Sequence, residues 1–486
     1  MIMVFVRIAL LAVLLAASAL YGQQLPADLQ QQANRIASSI LMGKSMDTLR
    51  QLTDGFGGRV SGTPAYNRAV EWAARKFREA GIKNVRLEPF TIPNGWQRGP
   101  ARGGITKPIQ RAVHIESLGW SPSTPAGGVK GEVWAVEDIS PEKLQAHAAD
   151  IRDHIVLLDR KKVFGEEPRN VLPKLHAAYQ QLKDLGAQAL VFQDREADNV
   201  LNATTGDWNA KLHPLPVAEI GMEEGKLIQR LLESGPVTME LELQNRTSGP
   251  TQINNVIAEM RGSERPDEWI IVGAHLDSWD YGTGAQDNGT GTVMVLEAAR
   301  ALADLGQAPR RSIRFALWGG EEEGLIGSHA YVDAYRAELA KCVAALNTDN
   351  GAGHPKGWKV EGRKDLEVAL KPISDGLLKG LSGGDVSQRT SFSTDHGFFM
   401  LEGIPAFDLW VDMTHYEEIH HKSSDTFDKV DPMDFKDGAA IVAVTAWAMA
   451  QTPEPIAPHI DHAAVGQILK KADLDEFLSQ LGFWKP

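Results

Sequence analysis

One stretch constrains this chain more than any other: Ala274-His275-Leu276-Asp277-Ser278-Trp279-Asp280. The apolar run Ile270-Ile271-Val272 precedes it and reads as a buried strand. His275 falls where that strand ends. Asp287 follows twelve positions later, after a Gly-rich loop, within Gln286-Asp287-Asn288-Gly289. Gly289-Thr290-Gly291-Thr292 then opens a helical pattern. An imidazole and a carboxylate are thereby set at the carboxyl end of a strand and the start of a helix. Open α/β sheets build their sites there.

The same rhythm continues down the chain. Strands are expected at 255–260, 269–273, 312–318, 343–347 and 404–409, with helices between them, notably at 291–305. The fold class this implies is α/β, a mostly parallel central sheet flanked by helices. A helix from Pro64, with Ala69, Trp72, Ala73, Phe77 and Ala80 on one face, precedes a strand around Val85 and Leu87. Pro89 interrupts that strand and suits an edge or a bulge. Between 113 and 244 the pattern changes to short strands and turns and shows no cluster of His or carboxylates. It reads as a unit inserted into the body formed by 57–112 and 245–455. Residues 23–56 read as an amphipathic helical arm, and 456–486 as a tail helix behind the Pro453–Pro458 break.

Residues 1–22 have the three regions of a secretory signal peptide: Arg7, an apolar run from Ile8 to Ala17, then small residues. Cleavage fits after Ala19 or Gly22. A secreted or periplasmic protein is expected, with no membrane attachment once the segment is removed. Export usually brings disulfides, yet Cys342 is the only cysteine, and it sits in an apolar run as a small core residue. The formal net charge of -13 excludes a nucleic-acid partner, which needs a basic face. Asn202 and Asn245 each begin an acceptor pattern for glycosylation.

Five polar groups follow expected strands: His275, Asp287, Glu321-Glu322, Asp349 and His421. Two imidazoles with several carboxylates and no thiolate suit zinc or a similar dication. So many ligands suit two ions sharing a carboxylate and a water. Within Trp318-Gly319-Gly320-Glu321-Glu322-Glu323-Gly324, adjacent carboxylates cannot both point to one place. One can bind metal while its neighbour takes a proton from water. Asp277, two residues after His275, is placed to orient that imidazole. His420 precedes His421 and is placed to donate to a developing oxyanion.

In these motifs the chain resembles the co-catalytic di-zinc aminopeptidases and glutamate carboxypeptidases. The matching residues are His275-Leu276-Asp277-Ser278, Asp287-Asn288-Gly289, Glu321-Glu322-x-Gly324, Asn347-Thr348-Asp349 and His421 followed by Asp425-Thr426, and the resemblance spans about 57–450. It implies the zinc-exopeptidase fold, with a protease-associated domain at 113–244. It implies that His275 and Asp349 bind one zinc, that Glu322 and His421 bind the other, and that Asp287 bridges. Glu321 is implied as general base and Asp277 as the partner of His275. Where related enzymes often carry a Tyr, this chain has His420. Ser393-Thr394-Asp395-His396 departs from the family's Ser-Asp-His by one inserted residue. The activity implied is exopeptidase cleavage of dipeptides or short peptides, by a homodimer. Two other readings use the same fold: a single-zinc glutaminyl cyclase-like or amide-hydrolase enzyme, and a receptor-type ectodomain without catalysis. The second loses ligands in related receptors, whereas every ligand type is present here.

Overall fold

The computed structural model describes residues 28–164, 172–205 and 208–486. The signal peptide expected at 1–22 lies outside them. Among the described residues no helix is long and apolar enough to cross a membrane.

Eight strands make the first sheet: β1 (Asn84–Ile92), β2 (Thr251–Met260), β3 (Arg265–His275), β4 (Arg311–Trp318), β5 (Cys342–Asn347), β6 (Pro355–Lys359), β7 (Asp385–Ser387) and β8 (Ala406–Val411). Their spatial order is β1-β2-β4-β3-β5-β8-β6-β7. The central four, β4, β3, β5 and β8, run parallel. Antiparallel pairs join β1 to β2, β2 to β4 and β6 to β8. The sheet is therefore mixed, with four parallel strands in the middle and a further parallel pair, β6 and β7, at one edge. Pro89 lies opposite Asn254 in β1, an edge strand, where a missing N–H is tolerated.

Helices cover both faces, so the parallel strands are apolar on both sides. Ile270, Val272 and Ala274 of β3 pack into one core, with α1 (Leu29–Leu41), α4 (Thr290–Ala303) and α6 (Pro432–Gln451). Trp269 and Ile271, alternate along the same strand, pack into the other, with α5 (Ile326–Ala334), α7 (His462–Lys471) and α8 (Asp475–Gln480). Each buried Ile or Val among them contributes roughly 1.5–3 kcal/mol on burial. Helix α2 (Ser45–Phe56) buries Leu49 and Leu52 against the first core. Helix α3 (Pro64–Glu79) begins where Thr63 Oγ1 accepts the Tyr66 N–H, with Pro64 in its first turn, and ends before Gly81, at φ +88°. In α1, Leu29, Ala33, Ile36 and Ile40 are buried, and Trp447 Nε1 donates to Gln32 Oε1 at 2.7 Å. Cys342 is buried in β5.

A second eight-stranded sheet lies between Ala101 and Leu243. Its outermost strands, Arg111–Val113 and Ile115–Ser117, are neighbours in sequence, so the sheet curls round its own core. The strand Ala101–Lys107 pairs with Thr238–Leu243 and belongs to this sheet although it precedes residue 113. Trp120 links the two parts, stacked on Trp96 at 5.6 Å and edge-on to Trp279 at 6.5 Å. Asn245 is buried here: Nδ2 donates to the Ser121 carbonyl at 2.9 Å and Oδ1 accepts the Gly99 N–H at 3.1 Å. The acceptor Asn of that pattern is thus engaged in the interior, while Arg246 and Thr247 are exposed.

His213 in the same region is buried, with Nε2 3.0 Å from the Gly119 carbonyl and 2.7 Å from that of Thr205. Burial pushes its pKa down to about 4, so the folded chain holds the ring neutral. An unfolded His takes up its proton near pH 6.5. The stability from this group is full above that pH and falls as pH drops toward 4, by about 3 kcal/mol at most. Urea unfolding at pH 7 and pH 4.5 is expected to show this loss in the wild type and a smaller one in His213→Gln. Equal pH dependence in both chains would remove His213 as its source.

Candidate metal centre

Four strand ends converge on one point. His275 closes β3, Glu321 and Glu322 follow β4, Asp349 follows β5, and His421 lies just past the short helix Thr414–Ile419 that follows β8. Asp287 enters from the turn before α4. Its Oδ1 lies 3.2 Å from His275 Nε2, which is itself 2.9 Å from Asp349 Oδ1. Its Oδ2 lies 3.3 Å from His421 Nε2, which is 3.0 Å from Glu322 Oε2. The two oxygens of one carboxylate thus face two separate groups of donors. Glu321 Oε2 stands further off, 3.9 Å from His275 Nε2.

Residues remote in sequence hold this geometry. Arg59 is fully buried under the loop that joins His275 to Asp287. Its Nε donates to the Leu276 carbonyl at 2.7 Å, Nη1 to Thr283 at 2.8 Å and Gly57 at 3.1 Å, and Nη2 to Gly284 at 2.9 Å. Gly58 permits the approach, since a Cβ there would meet Asp280 Cα at 2.3 Å. Asp425 grips the Asp287 turn from the other side. Its carboxylate accepts the N–H groups of Ala285 at 3.1 Å, Gln286 at 2.7 Å and Asp287 at 3.1 Å. Thr292 Oγ1 donates to the His275 carbonyl at 2.7 Å, which ties α4 to the end of β3.

The electrostatics show charge in need of a partner. Burial pushes Glu322 up to about 7, and the neighbouring Asp287 charge adds to that. Burial likewise raises Asp349 to about 6. It raises Glu321 well above the carboxylate range; the Asp349 and Asp395 charges add to the rise, while His275 opposes it. Burial would lower both imidazoles, but the charges of Asp349 and Glu321 outweigh it at His275, and those of Glu322 and Asp287 raise His421 to about 10. Glu322 Oε1 is buried without a hydrogen-bond partner. Buried carboxylates outnumber the cations beside them, and the donors are imidazole and carboxylate. The ligating atoms of His275, Asp287 and Asp349 lie within 4.8 Å of one another, as do those of Asp287, His420 and His421. A zinc-type dication fits this donor set.

Asp277 and His420 both lie against the centre, Asp277 meeting His275 through its main chain. His275 Nδ1 lies 3.0 Å from the Asp277 main-chain oxygen and 3.8 Å from its carboxylate. The carboxylate instead accepts the Glu322 N–H at 3.2 Å. The turn after β3 folds the Asp277 carbonyl back over the imidazole and leaves the side chain for the neighbouring strand end. His420 stacks on His421 with ring centroids 3.7 Å apart, and its Nε2 is 3.3 Å from Asp287 Oδ2. It therefore competes with Glu322 for the place beside Asp287 and His421. Sequence reasoning missed Arg59 as a brace, although Gly57-Gly58-Arg59 marked the start of the body. It also missed Trp208, Met413 and Tyr416, which line the cavity over the site.

Comparison with known proteins places the chain. The profile described as Peptidase family M28 matches residues 255–446. Carboxypeptidase Q of Mus musculus is 30% identical over 435 residues, covering 88% of this chain and 91% of that protein. The crystal structure of a peptidase M28 precursor from Shewanella amazonensis superposes with a TM-score of 0.77 at 29% identity, covering 89% of this chain and 99% of that one. BSAP, a zinc aminopeptidase from Bacillus subtilis, shares the fold at 21% identity, with a TM-score of 0.65 over 86% of this chain and 97% of its own. The chain belongs to peptidase family M28 and is a metallopeptidase.

Replacing Arg59 by Met would remove its hydrogen bonds to four carbonyls, two of them only half-buried, and would leave the buried Leu276 carbonyl without this donor. An unpaired buried group costs about 1–3 kcal/mol. Arg59→Met is therefore expected to lower the unfolding free energy by about 3 kcal/mol or more in a denaturant titration. A loss below about 1 kcal/mol would show that the guanidinium does not hold the loop.

Proposed function

We propose that this protein is a zinc exopeptidase that holds two zinc ions and hydrolyses dipeptides or short peptides. The observation that carries this is the division of the Asp287 carboxylate, one oxygen toward His275 and Asp349 and the other toward His421 and Glu322. In this reading His275 and Asp349 hold one ion, Glu322 and His421 hold the other, and Asp287 bridges them. Glu322 is preferred to His420 as the ligand because its Oε1 is buried and unpartnered, whereas His420 stands on the cavity wall with its side chain 39% exposed. Bound zinc supplies Lewis-acid polarisation of the scissile carbonyl and acidifies a water.

The chain's own groups do the rest. Glu321 lies outside both ligand pairs and faces the cavity, so its carboxylate is free to accept the proton of the attacking water. It returns that proton to the leaving amine. Asp277 keeps the parts in register, with its carbonyl oxygen against His275 and its carboxylate on the Glu322 N–H. His420 is placed to donate to the carbonyl oxygen as that oxygen gains charge. The names of the relatives, a carboxypeptidase and aminopeptidases, support an enzyme that trims peptide ends. The reading further takes 1–22 as a signal peptide for secretion or delivery to the periplasm, 113–244 as a protease-associated domain, and a homodimer as the assembly, the last two on family resemblance.

Glu321→Gln separates binding from chemistry. The variant is expected to keep the wild-type zinc content while kcat on a dipeptide falls at least about 100-fold. Near wild-type turnover would take the general-base role away from Glu321.

A further inference from the structure

The cavity above the metal centre has a volume of about 260 Å³. That lies below the roughly 300 Å³ at which small-molecule sites usually begin. Its floor is acidic, formed by Asp287, Glu321, Glu322 and Asp349, and its walls include Trp208, Leu325, Met413 and Tyr416. Leu325 and Met413 come from the loops after β4 and β8. Trp208 does not come from the first sheet. It lies between Ala189–Gln193 and Val217–Ile220, two adjacent strands of the second sheet.

This stretch of the second sheet's unit is bound to the loops that carry the ligands. The Asn209 N–H donates to the Glu323 carbonyl at 2.7 Å, and the Ala203 N–H to the His421 carbonyl at 2.8 Å. Lys422 Nζ lies 2.5 Å from Glu196 Oε2. The Trp208 ring meets Phe477 of α8 edge-on, with centroids 5.9 Å apart at 72°. A Cβ on Gly324 would come within 3.3 Å of Trp208 Cβ, so the Trp lies directly over the glycine that follows Glu321–Glu323. The Trp208 ring thus packs on Phe477, while the backbone around it is bound to the loops that carry Glu323 and His421.

We infer that Trp208 is a specificity-determining residue, contributed by the second-sheet unit. With Leu325 and Met413 it forms an apolar subsite for the side chain of the residue that bears the scissile carbonyl. The inference rests on the peptidase reading above, and it narrows the substrates to short peptides with an apolar or aromatic residue at that position.

The test compares kcat/KM for leucyl-glycine and glycyl-glycine in wild type, Trp208→Ala and Trp208→Phe, each checked for folding by its thermal midpoint. Wild type is expected to favour the leucyl substrate by about tenfold or more, the usual worth of apolar contacts in a pocket. In Trp208→Ala that ratio is expected to fall at least about fivefold, chiefly through KM for the leucyl substrate, while Trp208→Phe keeps most of it. If Trp208→Ala does not fold, Trp208→Ser carries the same expectation. An unchanged ratio in the folded truncation variant overturns the subsite, as does equal wild-type activity on both dipeptides. A wild type that cleaves neither dipeptide overturns the proposed dipeptide activity, and the subsite falls with it.

Discussion

Asp287 is buried with both carboxylate oxygens directed at different imidazoles. Around it, Glu322, Asp349, Asp277 and Glu323 are also buried or nearly so. Gathering like charges out of water costs several kcal/mol for each ion unless opposite charge or hydrogen bonds offset it. Hydrogen bonds from His275 and His421 hold Asp287 well below the ordinary carboxylate range, despite a burial that pushes the other way. Glu322 and Asp349 are paired with His421 and His275 as well, but burial outweighs that help and drives both upward. The site is built around a charge deficit that a dication removes.

The scaffold that imposes this arrangement is the parallel centre of the first sheet. Strands β4, β3 and β5 are adjacent, and the chain passes from β3 to β4 on one side before crossing to β5 on the other. The loops leaving β3, β4 and β5 therefore splay apart and leave a crevice at their carboxyl ends. Because the strands are packed on both faces, their ends do not drift. Arg59 and Asp425 then fix the one irregular segment, the loop from Leu276 to Asp287, by meeting its carbonyls from one side and its N–H groups from the other. This loop carries no regular ladder of its own, so its polar groups need these side chains.

Much of this was legible in the sequence, and the reasons are local. The apolar run before His275, the glycines around Glu321-Glu322 and the acidic residue after Asn347 each mark a strand end within a few residues. The α/β alternation from 255 onward identifies the sheet. What could not be read depends on contacts far apart along the chain. Arg59 meets partners 217 to 225 positions away, and Asp425 reaches the Asp287 turn across about 140. Trp208 sits in a stretch without periodicity, and only folding brings it to the cavity. The role of Asp277 was legible as proximity to His275 but not as geometry, because a turn decides whether carbonyl or carboxylate meets the ring. The strand at 101–107 escaped the reading because its Gly-rich sequence lacks the apolar alternation that marks a strand.

The claim on which the account turns is that the divided Asp287 carboxylate serves two ions. Elemental analysis of the purified protein, paired with dipeptide hydrolysis before and after chelation, tests it most directly. The account predicts two zinc ions per chain, hydrolysis lost on their removal and regained when zinc is restored. A single ion per chain, or hydrolysis that survives complete removal of metal, would contradict it.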